Sequence, residues 1–233
     1  DDVAKGDPGV IQQVVLNLRL PRILTACLMG MVLATAGFVL QMLFRNPLVE
    51  PGFLGVSQGA AFGAAVAIVI LGASAVTLQA VATAFGLLGL LFSITLARRI
   101  RYGGWTLRLI LAGIAVSAFF SAGLSLLKVA ADPLSELPEL VFWLLGALWG
   151  VTWSEALTVL PIGLLALLVA YLMRWRLNVL ALDDRTALSL GTAPQRERTI
   201  LLVAMVAATA AMVSISGIVG WVGLIVQIGR AHV

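Results

Sequence analysis

Charge is what this chain of 233 residues has least of: 11% of its residues are Asp, Glu, Lys or Arg, against about 25% in soluble domains. With 61% hydrophobic residues and a mean hydropathy of +1.07, the polar surface is too small to cover a soluble globule. Cysteine and histidine are nearly absent as well. Cys27 is the one thiol and His232 the one imidazole, which excludes a disulfide framework and a Cys/His metal cluster. No carboxylate lies at depth in an apolar run. Arg108 and Lys128 fall at run ends, where they can snorkel, so a proton or ion relay through the membrane is disfavoured. No Gly-x-x-x-x-Gly-Lys loop is available to cradle ATP. The start, with Asp1, Asp2, Lys5 and Asp7, is polar and unlike the charged stub and apolar core of a signal peptide.

What is abundant is long apolar sequence. Six runs read as membrane spans, at 23–44, 52–72, 75–97, 106–127, 156–173 and 200–226, since about 20 apolar residues cross a hydrocarbon core. The expected fold is an all-α polytopic transmembrane bundle, one domain over 1–226. With the N-terminus outside, the inner loops hold ten basic residues: Arg45, Arg98, Arg99, Arg101, Arg108, Arg174, Arg176, Arg185, Arg196 and Arg198. The outer side holds four, namely Lys5, Arg19, Arg22 and Lys128. That asymmetry orients the chain. The basic residues sit in short loops rather than on one face, so nucleic acid is not an expected partner despite the net charge of +4. Between Ala131 and Trp153 the chain is too polar and too broken by Pro and Gly to span. Trp143, Trp149 and Trp153 mark it as a short helix on the outer interface.

Three words near the N-terminus carry a resemblance: Leu18-Arg19-Leu20-Pro21-Arg22, Arg45-Asn46-Pro47-Leu48-Val49-Glu50-Pro51 and Leu54-Gly55-Val56-Ser57-Gln58-Gly59-Ala60. Further words follow in order, among them Leu109-Ile110-Leu111-Ala112-Gly113, Trp143-Leu144-Leu145-Gly146, Ala187-Leu188-Ser189-Leu190-Gly191 and Ser216-Gly217-Ile218-Val219-Gly220-Trp221. The series resembles the permease subunits of ABC importers that bring iron-siderophore complexes, haem and cobalamin into bacteria. The resemblance implies about ten spans in a complete member, with a helix ahead of Arg19 and more chain beyond Val226. The tail Gln227-Ile228-Gly229-Arg230-Ala231-His232-Val233 departs from the family, which continues with Pro-His-Ile. Its last six residues are what the start of a common sequencing-library adaptor encodes, so 227–233 is read as a non-native tail and His232 is set aside.

The residues and the resemblance together name the candidate positions. Arg19 and Arg22, three apart at the outer start of a helix, are either interfacial anchors or, as the resemblance implies, the dock for acidic residues of a substrate-binding protein. Gly55, Gly59 and Gly63 recur every four residues, which suits close helix packing; the resemblance adds a place near the translocation path. Leu182 to Gly191 reads as a short amphipathic helix stopped by Gly191. On composition it is a solvated loop. By resemblance Ala187, Leu188, Ser189, Leu190 and Gly191 form the segment that couples to the ATPase, although the family commonly has Gly at Asp183. Thr106 and Leu107 are either a helix cap or, by resemblance, the cytoplasmic gate.

The function implied is the membrane passage of an ATP-driven importer of a metal chelate or corrinoid, in the bacterial inner membrane. Its implied partners are a second copy of the permease, two cytoplasmic ATPase subunits, an extracytoplasmic binding protein and membrane lipid. No cofactor or metal is expected on this chain, because ATP and Mg belong to the ATPase; no catalytic residue is expected either. A secondary transporter of another small solute is the rival reading.

Overall fold

The computed structural model describes residues 8–219 except Leu48, Ala73 and Asp183, and only the backbone of residues 8, 51, 184 and 185. Within these residues the chain is helical, without strands. Its first element is a continuous rod made of α1 (Pro8–Val14), a π turn (Val15–Arg19) and α2 (Leu20–Phe44). After a turn and a 3-10 segment (Pro51–Leu54) come α3 (Val56–Ala65), extended by a π turn to Ile70, then α4 (Ala75–Arg99) and α5 (Trp105–Ala130). The second half holds α6 (Glu136–Leu145), α7 (Trp153–Leu172), α8 (Arg174–Leu180), α9 (Asp184–Ser189) and α10 (Pro194–Ser216).

Five helices are long and apolar enough to cross a membrane: Gly9–Phe44, Ala75–Arg99, Trp105–Ala130, Trp153–Leu172 and Pro194–Ser216. The expected second span, 52–72, is not among them. Its helical part, Val56–Ile70, is 15 residues long and reaches about 22 Å at 1.5 Å per residue, short of a core of roughly 30 Å. The cause is local. The left-handed turn at Gly55 (φ 79°) and the 3-10 segment before it consume the first residues, and Gly72 (φ 54°) closes the far end. Such irregular backbone survives at depth only where protein supplies its hydrogen bonds. Ser93 does so, its hydroxyl donating to Leu54 O at 2.9 Å.

The first span also differs from expectation, because the rod begins at Pro8 rather than near Ile23. At 36 residues it runs about 54 Å, longer than the hydrocarbon core, so its N-terminal part stands beyond the core. The expected sixth span is helical to Ser216, after which Gly217 turns at φ 71°. Residues 220–226 and the tail 227–233 lie outside the described residues.

Two groups of helices share α10. On one side α3 packs between α4 and α5; on the other α2 lies against α7, and α10 touches α2, α3, α4 and α7. Burial follows this placement: two thirds (67%) of the central window of α10 is buried, against 28% for α7. Leu201, Met205, Val206, Ala210 and Met212 of α10 fill the core together with Val32, Val39 and Leu40 of α2. The charges then separate by end. Arg45, Arg98, Arg108, Arg174, Arg176 and Arg198 gather where α2, α4 and α7 end and α5 and α10 begin. The opposite end carries Asp132, Glu136, Glu139 and Glu155 around α6 and the start of α7.

Candidate functional site

The sequence-derived positions fall on three surfaces. The first is the acidic end. Arg19 is exposed and Arg22 half-buried, and the two lie on neighbouring faces of the rod, three residues apart. They do not start a helix, as expected from sequence; about three helical turns precede them. The Arg-Leu-Pro-Arg word is accommodated by the π turn, in which Leu20 N–H donates to Val15 O. In that register the Leu16 carbonyl faces Pro21, which has no N–H to give. Trp153, the first residue of α7, fills the vacancy: its indole N–H donates to Leu16 O at 2.9 Å. Nothing in the sequence pairs Trp153 with Leu16, which are 137 residues apart; the only signal was the proline that orphans a carbonyl.

Beside these, α6 is a short, partly exposed helix of which only Leu140 is fully buried. It is tied at both ends. Glu136 accepts from Asp132 N at 2.9 Å, and Ala147 N donates to Ser216 O at 2.7 Å. The Asp132 carboxylate accepts from Leu134 N at 2.8 Å, and this backbone hydrogen bond holds its pKa below the ordinary value. A cavity of 470 Å³ opens here, lined by Glu139, Phe142, Trp143, Trp149, Glu155 and Ser216 among others.

The second surface is the buried face of α3. A Cβ on Gly59 would lie 2.5 Å from Phe85 O, and one on Gly63 would lie 2.7 Å from Phe85 Cβ and 2.8 Å from Val81 O. A Cβ on Gly55 would lie 2.7 Å from Val116 Cγ1 of α5, and one on Gly89 of α4 would lie 2.3 Å from Gly55 O. The three glycines therefore sit against neighbouring helices, where the absence of side chains sets the helix separation. Phe62, on α3, packs its ring on Phe85 and Phe120 at centroid distances of 5.3 and 5.6 Å.

The third surface is the basic end. Here α9 stops in a full Schellman arrangement: Thr192 N donates to Ala187 O at 3.3 Å and Gly191 N to Leu188 O at 3.0 Å, with Gly191 at φ 76°. Ala187 is wholly buried, whereas Leu188 and Leu190 are 60% and 59% exposed. The stop thus turns one small side chain into the bundle and two leucines out of it. The chain leading into α9 is tied down by three contacts. Arg176 pairs with Glu197, Arg198 donates to Leu180 O at 2.9 Å, and Arg45 donates to Leu182 O. Arg45 holds a left-handed backbone (φ 51°), a conformation that costs a non-glycine residue about 1–2 kcal/mol. Sequence reasoning used Arg45 as an inner charge and as part of a family word, and gave no sign of this contact. Thr106 and Leu107 also lie at this end but diverge. Thr106 lines a small cavity with Leu43, Phe44, Leu109 and Leu202, and Leu107 is 52% exposed. Gly104, not Thr106, occupies the cap position of α5.

No group of three or more His, Cys, Asp or Glu able to hold a metal occurs among the described residues.

Comparison with known proteins places this architecture. The molybdate import permease MolB of Haemophilus influenzae is 41% identical over 94% of this chain, which spans 64% of MolB's length. The hemin transport permease HmuU of Yersinia pestis is 35% identical over 93% of the chain and 67% of its own length. A solved inward-facing ABC transporter assigned to the metal-chelate type superposes with a TM-score of 0.89 at 39% identity, covering 97% of this chain and 71% of that one. The model of the FecCD transport family matches residues 2–230, so this multi-pass membrane chain belongs to the FecCD transport family.

Proposed function

We propose that the chain is the permease subunit of an ATP-driven ABC importer and forms, with a second copy, the passage for a metal chelate delivered by a substrate-binding protein. The observation that carries this reading is α9: a six-residue helix at the basic end, stopped by Gly191 and presenting Leu188 and Leu190 to the outside. An exposed apolar pair at the end of a helix whose approach is held by Arg45 on Leu182 O and Arg198 on Leu180 O suits a groove on a cytoplasmic ATPase, two copies of which would supply the ATP and Mg chemistry. Through these ties of the α8–α9 segment to α2 and α10, a push on the helix would reach both.

At the opposite end Arg19, Arg22 and the exposed face of α6 are the docking surface for the binding protein, as the exposed guanidinium of Arg19 suits charge-assisted pairs that form and release. The chain contributes no catalysis and sits in the bacterial inner membrane, with the basic end in the cytoplasm by the excess of arginine there. Substrate class rests on the relatives, whose names include iron chelatin, hemin and cobalamin; a siderophore, haem or corrinoid chelate fits these, while the molybdate of MolB is an oxyanion outside that class.

The test is reconstitution of the full-length permease in proteoliposomes with the ATPase and binding protein of the same importer. ATP-dependent uptake of a labelled ferric chelate, haem or cobalamin is expected. Uptake driven by a proton or sodium gradient without ATP would instead establish the secondary transporter.

A further inference from the structure

The loop that carries α9 is closed at its base. In the chain α9 lies between α8 and α10, and a few residues after Ser189 lead into Pro194 at the start of α10. On the other leg, Leu177 and Leu180 of α8 are buried in the main core, at 4% and 0% exposed. Across the base the Arg176 guanidinium pairs with the Glu197 carboxylate, 21 residues further on. The next residue, Arg198, donates to Leu180 O at 2.9 Å. Consecutive residues of opposite charge on α10 thus grip α8 at two points four residues apart, at a side chain and at its last carbonyl.

Stability gives a poor account of this pair. Glu197 is 7% exposed, and taking a carboxylate out of water carries a penalty that the attraction of one arginine roughly cancels. Its Oε2 is buried without a hydrogen-bond partner. Its Oε1 accepts from Ala193 N only at 3.5 Å, so it is a weak cap for α10, and a Ser or Asn at the cap position would serve without burying a charge. What the pair supplies is geometric. The Arg198 contact alone leaves a pivot, about which α8 can swing against α10 when α9 is pushed. With Arg176 held by Glu197 the two legs of the loop move as one piece. The displacement then passes to α10, which is the most buried of the five long apolar helices at 67% and touches α2, α3, α4 and α7.

We propose that Arg176 and Glu197 are positioning residues of transport, which lock α8 to α10 so that movement of α9 reaches the transmembrane helices. Their role rests on α9 being the contact with the ATPase, and it names the pair that makes that contact productive. Loss of the pair therefore shows as ATP hydrolysed without import, and not as a failure to fold or to bind the ATPase. Because the two side chains act as a unit, removing either has the effect of removing both.

The full-length permease, reconstituted in proteoliposomes with the ATPase and binding protein of the same importer, tests this through the ATP hydrolysed per labelled ferric chelate, haem or cobalamin imported. Arg176→Gln and Glu197→Gln should each raise that ratio about fivefold. The double variant should raise it no further, and Arg176→Lys, which keeps the charge, should stay near wild type. The Arg176 side chain is 55% exposed, so its variants report even if Glu197→Gln fails to fold. An unchanged ratio in Arg176→Gln, with ATPase activity and uptake either intact or falling together, would overturn the proposal and leave the pair a structural contact. Additive effects of the two substitutions would overturn it as well, as would a lysine variant no better coupled than glutamine. A wild type that imports none of the three compounds under ATP would overturn the importer reading and the coupling role with it, whereas a coupled wild type beside unchanged variants overturns the role of the pair alone.

Discussion

Two short helices, α3 and α9, both depend on glycine, and for opposite physical reasons. At Gly59 the backbone is ordinary helix and space is the constraint, since Phe85 O would lie 2.5 Å from a Cβ. At Gly191 space is free, with nothing within 4 Å of a Cβ, and the left-handed φ of 76° is the constraint. The first glycine lets α3 and α4 touch backbone to backbone inside the bundle. The second ends a helix at the surface so that its leucines point away from the bundle. Interior and surface therefore place different demands on the same residue, and substitutions can separate them.

The largest effect is expected at Gly59. Gly59→Leu places a branched side chain where backbone already stands, and overpacking of this kind costs about 1–3 kcal/mol or more. The full-length protein should lose most of its folded yield, measured by monodisperse recovery in detergent. Normal recovery would break the comparison by showing that α3 and α4 can separate without cost. Gly191→Val comes next: the β-branched residue resists positive φ, so ATP-driven uptake should fall about tenfold while folded yield stays near wild type. Gly191→Asn, which tolerates the left-handed region, should restore most of the uptake. Failure of the asparagine to rescue would shift the cause from φ to the side chain.

The opposite end sharpens the contrast, because there charge and not shape is at stake. Reversing Arg19 and Arg22 to Glu should weaken capture of the binding protein about tenfold at low salt, with less effect once screening shortens to about 3 Å at 1 M. Binding unchanged at low salt would make the pair membrane anchors. Trp153→Phe should lower the thermal midpoint slightly, as loss of a single exposed hydrogen bond to Leu16 O is worth about 0.5–1.5 kcal/mol.

The smallest effect concerns Asp132. Its folded pKa is depressed by the Leu134 N–H, so its contribution to the order of the α5–α6 loop is present above the ordinary carboxylate range and fades as pH falls through the lowered value. Asp132→Asn should remove that pH dependence from hydrogen exchange at Leu134.

Sequence by itself determined the membrane class, the all-helical fold and the two ends, because apolar run length and the distribution of arginine act residue by residue and need no tertiary partner. It also marked Gly191 as a helix stop, since the signal is a single residue's backbone freedom. It misjudged the second span, for hydropathy counts apolar residues and is blind to the turn at Gly55 that keeps 51–55 out of the helix. It placed Arg19 and Arg22 at a helix start because the apolar run begins only at Ile23. Only the tertiary structure supplied Trp153 for the orphaned Leu16 carbonyl and Arg45 for Leu182 O. Each of these joins groups far apart in the chain, and such contacts are decided by how helices pack around α10 and not by any local preference.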